Sequence, residues 1–313
     1  MAYQNVGTPR FYINVLEWLA SNSAITLPSD HFRTLPVNPT LFTNIPAETP
    51  FSWLPFDSVF SKNCFFAFLG HTRANDHVVD SAYGGIDLYL DPGGAGTAFS
   101  NDIQINLDAN YSVPQYDGFS LASLAGVEFF QMTLFAYGNV GSIILGTYYD
   151  MPHSPDLSLT MTREYGGTKT IETKGGASLS NTFYTKTPAW GDLGAWEIGG
   201  GDPKLSKSGR RVWDLSFSYL QDSDVFPDVS SLTNYETTEY NSNDVTLNTL
   251  LDGDDFYSQV IHKTRPDLPF IFQPDNSNNN PDQFAICKFD SGFKFEQVAN
   301  GVYNVKLKIR EVW

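Results

Sequence analysis

Residues 71–80, HTRANDHVVD, contain side chains that commonly bind metal ions. His71 and His77 are six residues apart, with Asp76 and Asp80 close to them. In a strand this spacing places both rings on one face but about 20 Å apart, which is too far to share one ion. Only a loop would bring the rings together, so we expect no metal site here.

Two further stretches are rich in oxygen ligands, residues 252–255 (DGDD) and residues 275–280 (DNSNNN). Calcium prefers such groups, but neither stretch has the twelve-residue spacing with a closing glutamate of an EF-hand loop. Turn and cap chemistry accounts for both stretches, with calcium binding as the alternative.

The motifs of catalysis and cofactor binding are absent from the sequence. It has no G-x-S-x-G elbow and no G-x-G-x-x-G between a predicted strand and helix, and residues 199–202 (GGGD) lack the lysine and hydroxyl of a P-loop. The 35 acidic residues guarantee that some carboxylates lie at glycosidase spacing, so that spacing is not diagnostic. We predict a protein that is not an enzyme and binds no cofactor.

Aromatic residues between 111 and 117, YSVPQYD, suggest a second class of function. Tyr111 and Tyr116, with Asp117, have the chemistry of a glycan contact, because a sugar ring stacks on a flat aromatic side chain. Most aromatic residues of a β protein pack in its core or between subunits. A carbohydrate-binding module that recognises host surface polysaccharide is therefore the alternative function.

The charge balance limits the partners. The net charge of -16 opposes attraction to a phosphate backbone, so nucleic acid is not an expected partner. The acidic surface favours solubility, or attracts cations or a basic patch on another protein. The N-terminal residues lack the pattern of a secretory signal, and no apolar run approaches 18 residues, so we expect neither secretion nor a membrane span.

Composition predicts a mainly β fold. Aromatic residues are 15% of the chain and charged residues 17%, with 25 glycines and 18 prolines that mark turns. We predict three units: a helix and proline-rich arm at 1–58, a jelly-roll β-sandwich domain at 59–150, and a second β-rich domain at 151–313.

The first unit is predicted to open with an amphipathic helix over residues 9–22, because Phe11, Val15 and Trp18 lie at helical spacing. Prolines between residues 24 and 57 then predict an extended arm. The jelly-roll domain rests on short strand-like runs separated by turn clusters: CFFAFLGH, GIDLYL, DIQINL, VEFFQMTLFAY and SIILGTYYDM.

The second β domain has three runs typical of strands, followed by a long polar loop at 221–249. The runs are DLSLTMTREY, GGTKTIETKGG and RRVWDLSFSYL, the last with alternating Trp213, Leu215, Phe217 and Tyr219. A helix is expected across Asp254 to Lys263, and then two strands around the loop at 275–280.

The chain ends in a predicted hairpin, with Asn300-Gly301 as its two-residue turn. The period of two puts Lys306, Lys308 and Arg310 on one face and the apolar residues Val305, Leu307, Ile309 and Trp313 on the other. The basic face has two interpretations. It protects a sheet edge against further pairing, or it contacts an acidic neighbouring subunit.

The two cysteines, Cys64 and Cys287, both lie in aromatic strand-like runs. They are interpreted as small buried hydrophobes, and a single disulfide between them is the alternative.

The stretches GNVGSIILGTYYDMPHSPDLSLTMTREYGG and SGRRVWDLSFSYL resemble structural proteins of tailed bacteriophages. In those proteins a jelly roll similar to galactose-binding or discoidin-type domains ends on a strand of the pattern V-G-x-I-x-L-G. Val140 to Gly146 match this pattern. Met151-Pro152, Arg211 to Leu220 and the closing runs LPFIFQPD, FAICKFD and GVYNVKLKIREVW also match. The resemblance spans most of residues 60–313.

This resemblance implies a virion component of the tail, baseplate or neck, assembled in the host cytoplasm. Its partners would be copies of itself and other virion proteins. The arm at 1–58 departs from a bare jelly roll, and we interpret it as a segment that reaches onto a neighbouring subunit.

Overall fold

The structure is a computed structural model of the 313-residue chain. It describes residues 6–27, 29–35, 40–42, 51–52, 63–69, 87–91, 103–106, 119–124, 131–135, 138–157, 160–164, 168–182, 210–228, 250, 253–279, 283–290 and 292–312.

The described part of the chain is mainly β, as the composition predicts. Its strands are β1 Arg10–Asn14, β2 Thr40–Phe42, β3 Phe51–Ser52, β4 Cys64–Leu69, β5 Asp87–Asp91, β6 Ile103–Asn106, β7 Phe119–Leu124, β8 Gln131–Phe135, β9 Gly138–Val140, β10 Ser142–Asp150, β11 Thr160–Glu164, β12 Thr168–Glu172, β13 Ser178–Thr182, β14 Arg210–Gln221, β15 Phe270–Gln273, β16 Ala285–Phe289, β17 Lys294–Ala299 and β18 Val302–Glu311.

The helices are short. They are α1 Val15–Ser21, a 3-10 turn Asp30–Phe32, α2 Asp222–Val225, and a π-helix Tyr257–Ile261 that continues directly as α3 His262–Thr264. The last two correspond to the helix expected across Asp254 to Lys263.

One antiparallel sheet organises most of these strands, in the order β11-β14-β18-β16-β15-β1-β10-β4-β7, with β17 also paired to β18. Strands β3, β8, β5 and β6 form a separate four-stranded sheet, and β12 with β13 and β2 with β9 form two-stranded sheets. The large sheet contains strands from all three predicted units and crosses the expected boundaries at 58/59 and 150/151.

Strand β1 corrects the prediction of a helix over residues 9–22. Arg10 pairs with Asp150 of β10 on one side and with Gln273 of β15 on the other, so β1 is a central strand. Its aromatic and β-branched side chains Phe11, Tyr12 and Ile13 are buried, which favours a strand with both faces covered. The helix begins only at Val15.

Asn14 sets this start, because its side chain accepts a hydrogen bond from the backbone N–H of Glu17 at 3.2 Å. The Asn14 amide also donates to the Phe32 carbonyl and the Thr34 hydroxyl, both at 3.1 Å. The Glu17 carboxylate accepts from the Thr34 backbone N–H at 2.9 Å and from its hydroxyl at 2.7 Å. The cap therefore fastens α1 to the following segment.

The large sheet has an apolar cluster on each face. The inner core packs the sheet against the π-helix and includes Phe11, Trp213, Phe217, Phe256, Val260, Phe272, Val305 and Ile309. The outer core covers the other face at the β15-β1-β10-β4 half of the sheet and includes Tyr12, Phe65, Ile144, Tyr148, Ile271 and Phe284. On the β14-β18 half that outer face carries mainly polar and charged side chains, apart from the buried Val212.

The predicted C-terminal hairpin is present. Ala299 pairs with Val302 across a two-residue turn, and Gly301 has a φ of 67°. Asn300 is not among the described residues with a positive φ. Of the two turn residues, only Gly301 adopts the positive φ for which glycine is suited.

Candidate functional site

Strand β18 lies inside the large sheet. Its register with β14 runs from Val302↔Gln221 to Arg310↔Val212, and its other side pairs with β17 and then with β16. Its backbone hydrogen-bonding groups are therefore used on both sides. The edge-protection interpretation of Lys306, Lys308 and Arg310 is wrong.

The predicted alternation of β18 is confirmed for its described residues. Val305, Leu307 and Ile309 are buried in the inner core, whereas Lys306 is exposed and Lys308 and Arg310 are half-buried. Trp313, the last residue of the predicted apolar row, lies outside the described residues.

The register brings further charges onto the same face as these three cations. We call this surface the basic face. Its cations are Arg210, Lys288, Lys294, Lys306, Lys308 and Arg310, and its carboxylates are Glu164, Asp214, Asp290 and Glu296. With six cations and four carboxylates, the face has a formal charge of about +2 in a chain of net charge -16.

Ion pairs hold part of the basic face in place. Lys308 Nζ lies 3.3 Å from Asp290 Oδ2, and Arg310 contacts Glu164 at 2.9 Å and Asp290 at 3.6 Å. Such partly exposed pairs each contribute about 0–1 kcal/mol, so they orient side chains more than they stabilise the fold.

Lys306 differs from its neighbours. It pairs in register with Lys294 of β17 on one side and with Ser216 of β14 on the other. Like charges directly opposite one another repel. No ion pair among the described residues includes Lys306, whereas Lys294 contacts Glu296 at 3.6 Å, so a carboxylate added beside Lys306 would be favourable.

A buried ion pair fixes the end of β18. Glu311 accepts hydrogen bonds from Arg211 on β14, and Arg211 also donates to the Phe284 carbonyl at 2.8 Å. The Arg211 guanidinium lies over the Trp213 ring at 5.2 Å. The sequence contains the Arg-before-Trp pattern but gives little sign of Glu311, whose only signal is a carboxylate in line with the apolar row of β18.

A hairpin formed by β12 and β13 exposes an apolar pair. Residues 170–180 are all exposed, and Ile171 pairs in register with Leu179, at 53% and 61% exposure. Thr173 and Ala177 close the turn through a 2.9 Å backbone hydrogen bond, with Gly176 at a φ of 79°. The sequence predicted a strand at GGTKTIETKGG but not its partner β13.

Tyr219 departs from its predicted place in the apolar row of β14. It is 75% exposed and has a φ of 63°, at an irregularity in the β14–β18 register between Phe217 and Leu220. Its backbone N–H donates to the Asn304 side chain at 3.1 Å. The bulge turns Tyr219 outward and lets Leu220 take the buried position.

A polar cluster lies where the start of β1 meets the ends of β10 and β15. Arg10 makes a two-pronged contact with Asp150 at 2.7 and 2.8 Å and lies 4.2 Å from the Tyr148 ring centre. Burial lowers the pKa of Arg10, but the hydrogen bonds and charge interactions with Asp150 and Tyr12 together outweigh burial and raise that pKa. Tyr12 donates to Gln273 at 2.9 Å, and burial raises its pKa to about 12. The cluster joins β1, β10 and β15.

Both cysteines are buried, and neither is in a disulfide. Burial raises the pKa of the Cys64 thiol to about 12, against an opposing effect of Lys263. The pKa of Cys287 is raised as well, first by burial and then by Glu311. Neither thiol is ionised near neutral pH, which matches small buried hydrophobes rather than nucleophiles.

The other candidates from the sequence lie mostly beyond the described residues. Tyr111, Tyr116 and Asp117, the predicted glycan contacts, and the histidines of 71–80 are among them. Within the described part of the chain no three His, Cys, Asp or Glu side chains are grouped to hold a metal ion. No helix there has the length and apolar character needed to cross a membrane.

Comparison with known proteins adds no relative. No protein-family model matches the chain, and neither a curated protein nor a solved structure matches it.

Proposed function

We propose that this chain is a non-enzymatic structural protein of a tailed-phage virion, placed in the tail, baseplate or neck. It assembles with copies of itself and with other virion proteins by packing of subunit surfaces. The phage assignment rests on the sequence resemblance across Val140 to Gly146 and Arg211 to Leu220. The assembly role rests on a surface feature of the fold.

That feature is the β12–β13 hairpin, which carries the proposal. A two-stranded hairpin without a packed face is marginally stable in water, and this one leaves Ile171 and Leu179 exposed side by side. Covering both side chains on another protein contributes about 2–4 kcal/mol. A hairpin that gains its apolar cover from a neighbour is an assembly device.

The test is the oligomeric state of the full chain, measured by size-exclusion chromatography with light scattering and by negative-stain imaging. We expect discrete assemblies, which the substitutions Ile171→Ser with Leu179→Ser weaken. Leu157→Ser is the matched control, because Leu157 is fully exposed but lies off the hairpin. A monomer at every concentration that also fails to join other particle proteins contradicts the assembly role.

The phage assignment has a separate test. Particles released by a host that carries the encoding gene are purified on a density gradient and labelled with antibody against the chain. Gold at one defined end of the tail or at the neck is expected. Particles of full composition without this chain contradict a virion role.

A further inference from the structure

We propose that the basic face binds the acidic segment, residues 222–244, of a second copy of this chain. The inference rests on the proposed assembly function and adds the two surfaces that meet. Two observations support it: the opposite charges of the two surfaces, and the point at which the acidic segment leaves the sheet.

The basic face is an unusual surface for this chain. Lys and Arg number 19 against 35 Asp and Glu, yet six of the cations gather on one sheet surface. Lys306 lies near its middle, opposite Lys294 and without an ion pair among the described residues. A carboxylate placed there would relieve the repulsion between the two amines.

The acidic segment has the opposite character. Its six carboxylates are Asp222, Asp224, Asp228, Glu236, Glu239 and Asp244. The segment contains no Lys, Arg or His, so its charge is about -6 over 23 residues. The basic face, with a charge of about +2, is therefore electrostatically matched to it.

The described residues at both ends of this segment lie on the sheet face opposite to the basic face. At its start, Val225 is buried in the inner core and Phe226 packs on Phe295 and Tyr303, on the sheet face opposite to Lys306. After the segment the chain re-enters with Phe256, again in the inner core. Both described ends thus lie on the sheet face opposite to Lys306, so binding within one chain requires a path around a sheet edge, whereas binding to a second copy does not.

The first experiment locates the contact. Copies grown on ordinary and on heavy nitrogen are mixed, allowed to assemble and treated with a carbodiimide, which joins a lysine amine to a carboxylate without a spacer. We expect cross-linked peptides that join Lys306 or Lys308 to Glu236 or Glu239, half of them carrying both isotopes. If every such link carries a single isotope, the segment lies on its own chain and the proposal is overturned.

The second experiment exchanges charges. The face-reversed chain carries Lys306→Glu with Lys308→Glu, and the segment-reversed chain carries Glu236→Lys with Glu239→Lys. We expect each to self-associate at least about tenfold more weakly than the wild type. A mixture of the two should recover most of the association, because the unchanged face of the segment-reversed chain meets the unchanged acidic segment of the face-reversed chain, and in the other contact the new glutamates face the new lysines.

The control for charge alone is Arg33→Glu with Arg265→Glu, two exposed cations away from the basic face. It changes the net charge as much as the face reversal and should leave association within about threefold of wild type. Urea unfolding of each variant confirms that it is folded. Raising NaCl from about 50 to about 500 mM should weaken wild-type association, because salt screens charges.

The outcomes separate this inference from the proposed function. If the wild type assembles and the face-reversed chain assembles equally well, the basic face is not the contact, while the assembly role stands. If neither reversed chain is rescued by mixing, specific pairing of face and segment is overturned. If the wild type does not assemble at all, both fail.

Discussion

Glu311 accepts three hydrogen bonds from Arg211 across the β14–β18 pair. The donors are the Arg211 backbone N at 2.8 Å, Nε at 3.2 Å and Nη2 at 2.9 Å. The two side chains are only 8% and 3% exposed, so both charges have lost most of their water. Each charge is therefore tolerated only because the other is present.

Removing one partner should be costly. We expect Glu311→Ala to lower the free energy of unfolding by about 3–5 kcal/mol, because it leaves the Arg211 charge buried. Lys308→Ala, which breaks a half-exposed pair on the same strand, should cost about 1 kcal/mol or less. Urea unfolding followed by tryptophan fluorescence measures both. A double change, Arg211→Met with Glu311→Leu, should cost less than Glu311→Ala; a larger loss would contradict the desolvation argument.

Gly146 marks a close approach between β10 and β1. A Cβ at this position would collide with the Ile13 carbonyl oxygen and lie 2.8 Å from the Val15 backbone N. Both obstacles are backbone and cannot move aside cheaply. We expect Gly146→Ala to cost about 3 kcal/mol or more in unfolding free energy. Gly175→Ala, where a Cβ meets nothing within 4 Å, is the matched control and should be close to neutral.

Alkaline pH should destabilise the fold. The pKa of Cys64 rises from 9.0 to about 12 and that of Tyr12 from 10.0 to about 12 on folding, chiefly by burial. Between pH 9 and 12 the folded state thus holds protons that the unfolded state releases, so the unfolding free energy falls as pH rises. Urea unfolding at a series of pH values should show a shallower fall for Cys64→Ala. Leu121→Ala, a buried truncation without a titrating group, should keep the wild-type slope.

The Asn14 cap should matter more than an exposed cap. Asn14→Ala removes the cap of α1 and the buried hydrogen bonds from Asn14 to Phe32 and Thr34. We expect a loss of about 2 kcal/mol in thermal or urea unfolding. Asn22→Ala at the exposed end of the same helix serves as the control and should cost less. Equal losses would show that the Asn14 network adds nothing to capping.

The two-residue alternation of apolar side chains, combined with turn-forming residues, predicted the local elements well. The β17–β18 hairpin follows from Asn300-Gly301 between two alternating runs, and the burial of Trp213, Leu215 and Phe217 follows from the period of two. The first helix was predicted only in part. Phe11 and Val15 have the spacing of a helical stripe, but Phe11 lies in β1 and only Val15 lies in α1. Only the pairing of β1 with β10 and β15, which no local pattern contains, decides between helix and strand.

In the candidate functional site, too, the local pattern was predictable from the sequence and the long-range neighbours were not. Alternation alone placed Lys306, Lys308 and Arg310 on one face, but their neighbours come from strands far away in the sequence. Glu164 is 146 residues from Arg310, and β14 begins about 100 residues before β18 ends. Because the terminal strand turned out to be internal, its charges act across a broad surface. A sequence pattern gives the direction of a side chain but not what stands beside it.

The central strand β1 also constrains how the molecule is made. It is paired with β10, more than 130 residues later, and with β15, about 260 residues later. Contacts of such long sequence separation give a high contact order, and chain closure must precede the gain from pairing. During synthesis the apolar residues of β1 stay without their strand partners until most of the chain has emerged from the ribosome. Slow folding and an interval of exposure to misassembly follow from this one strand's position.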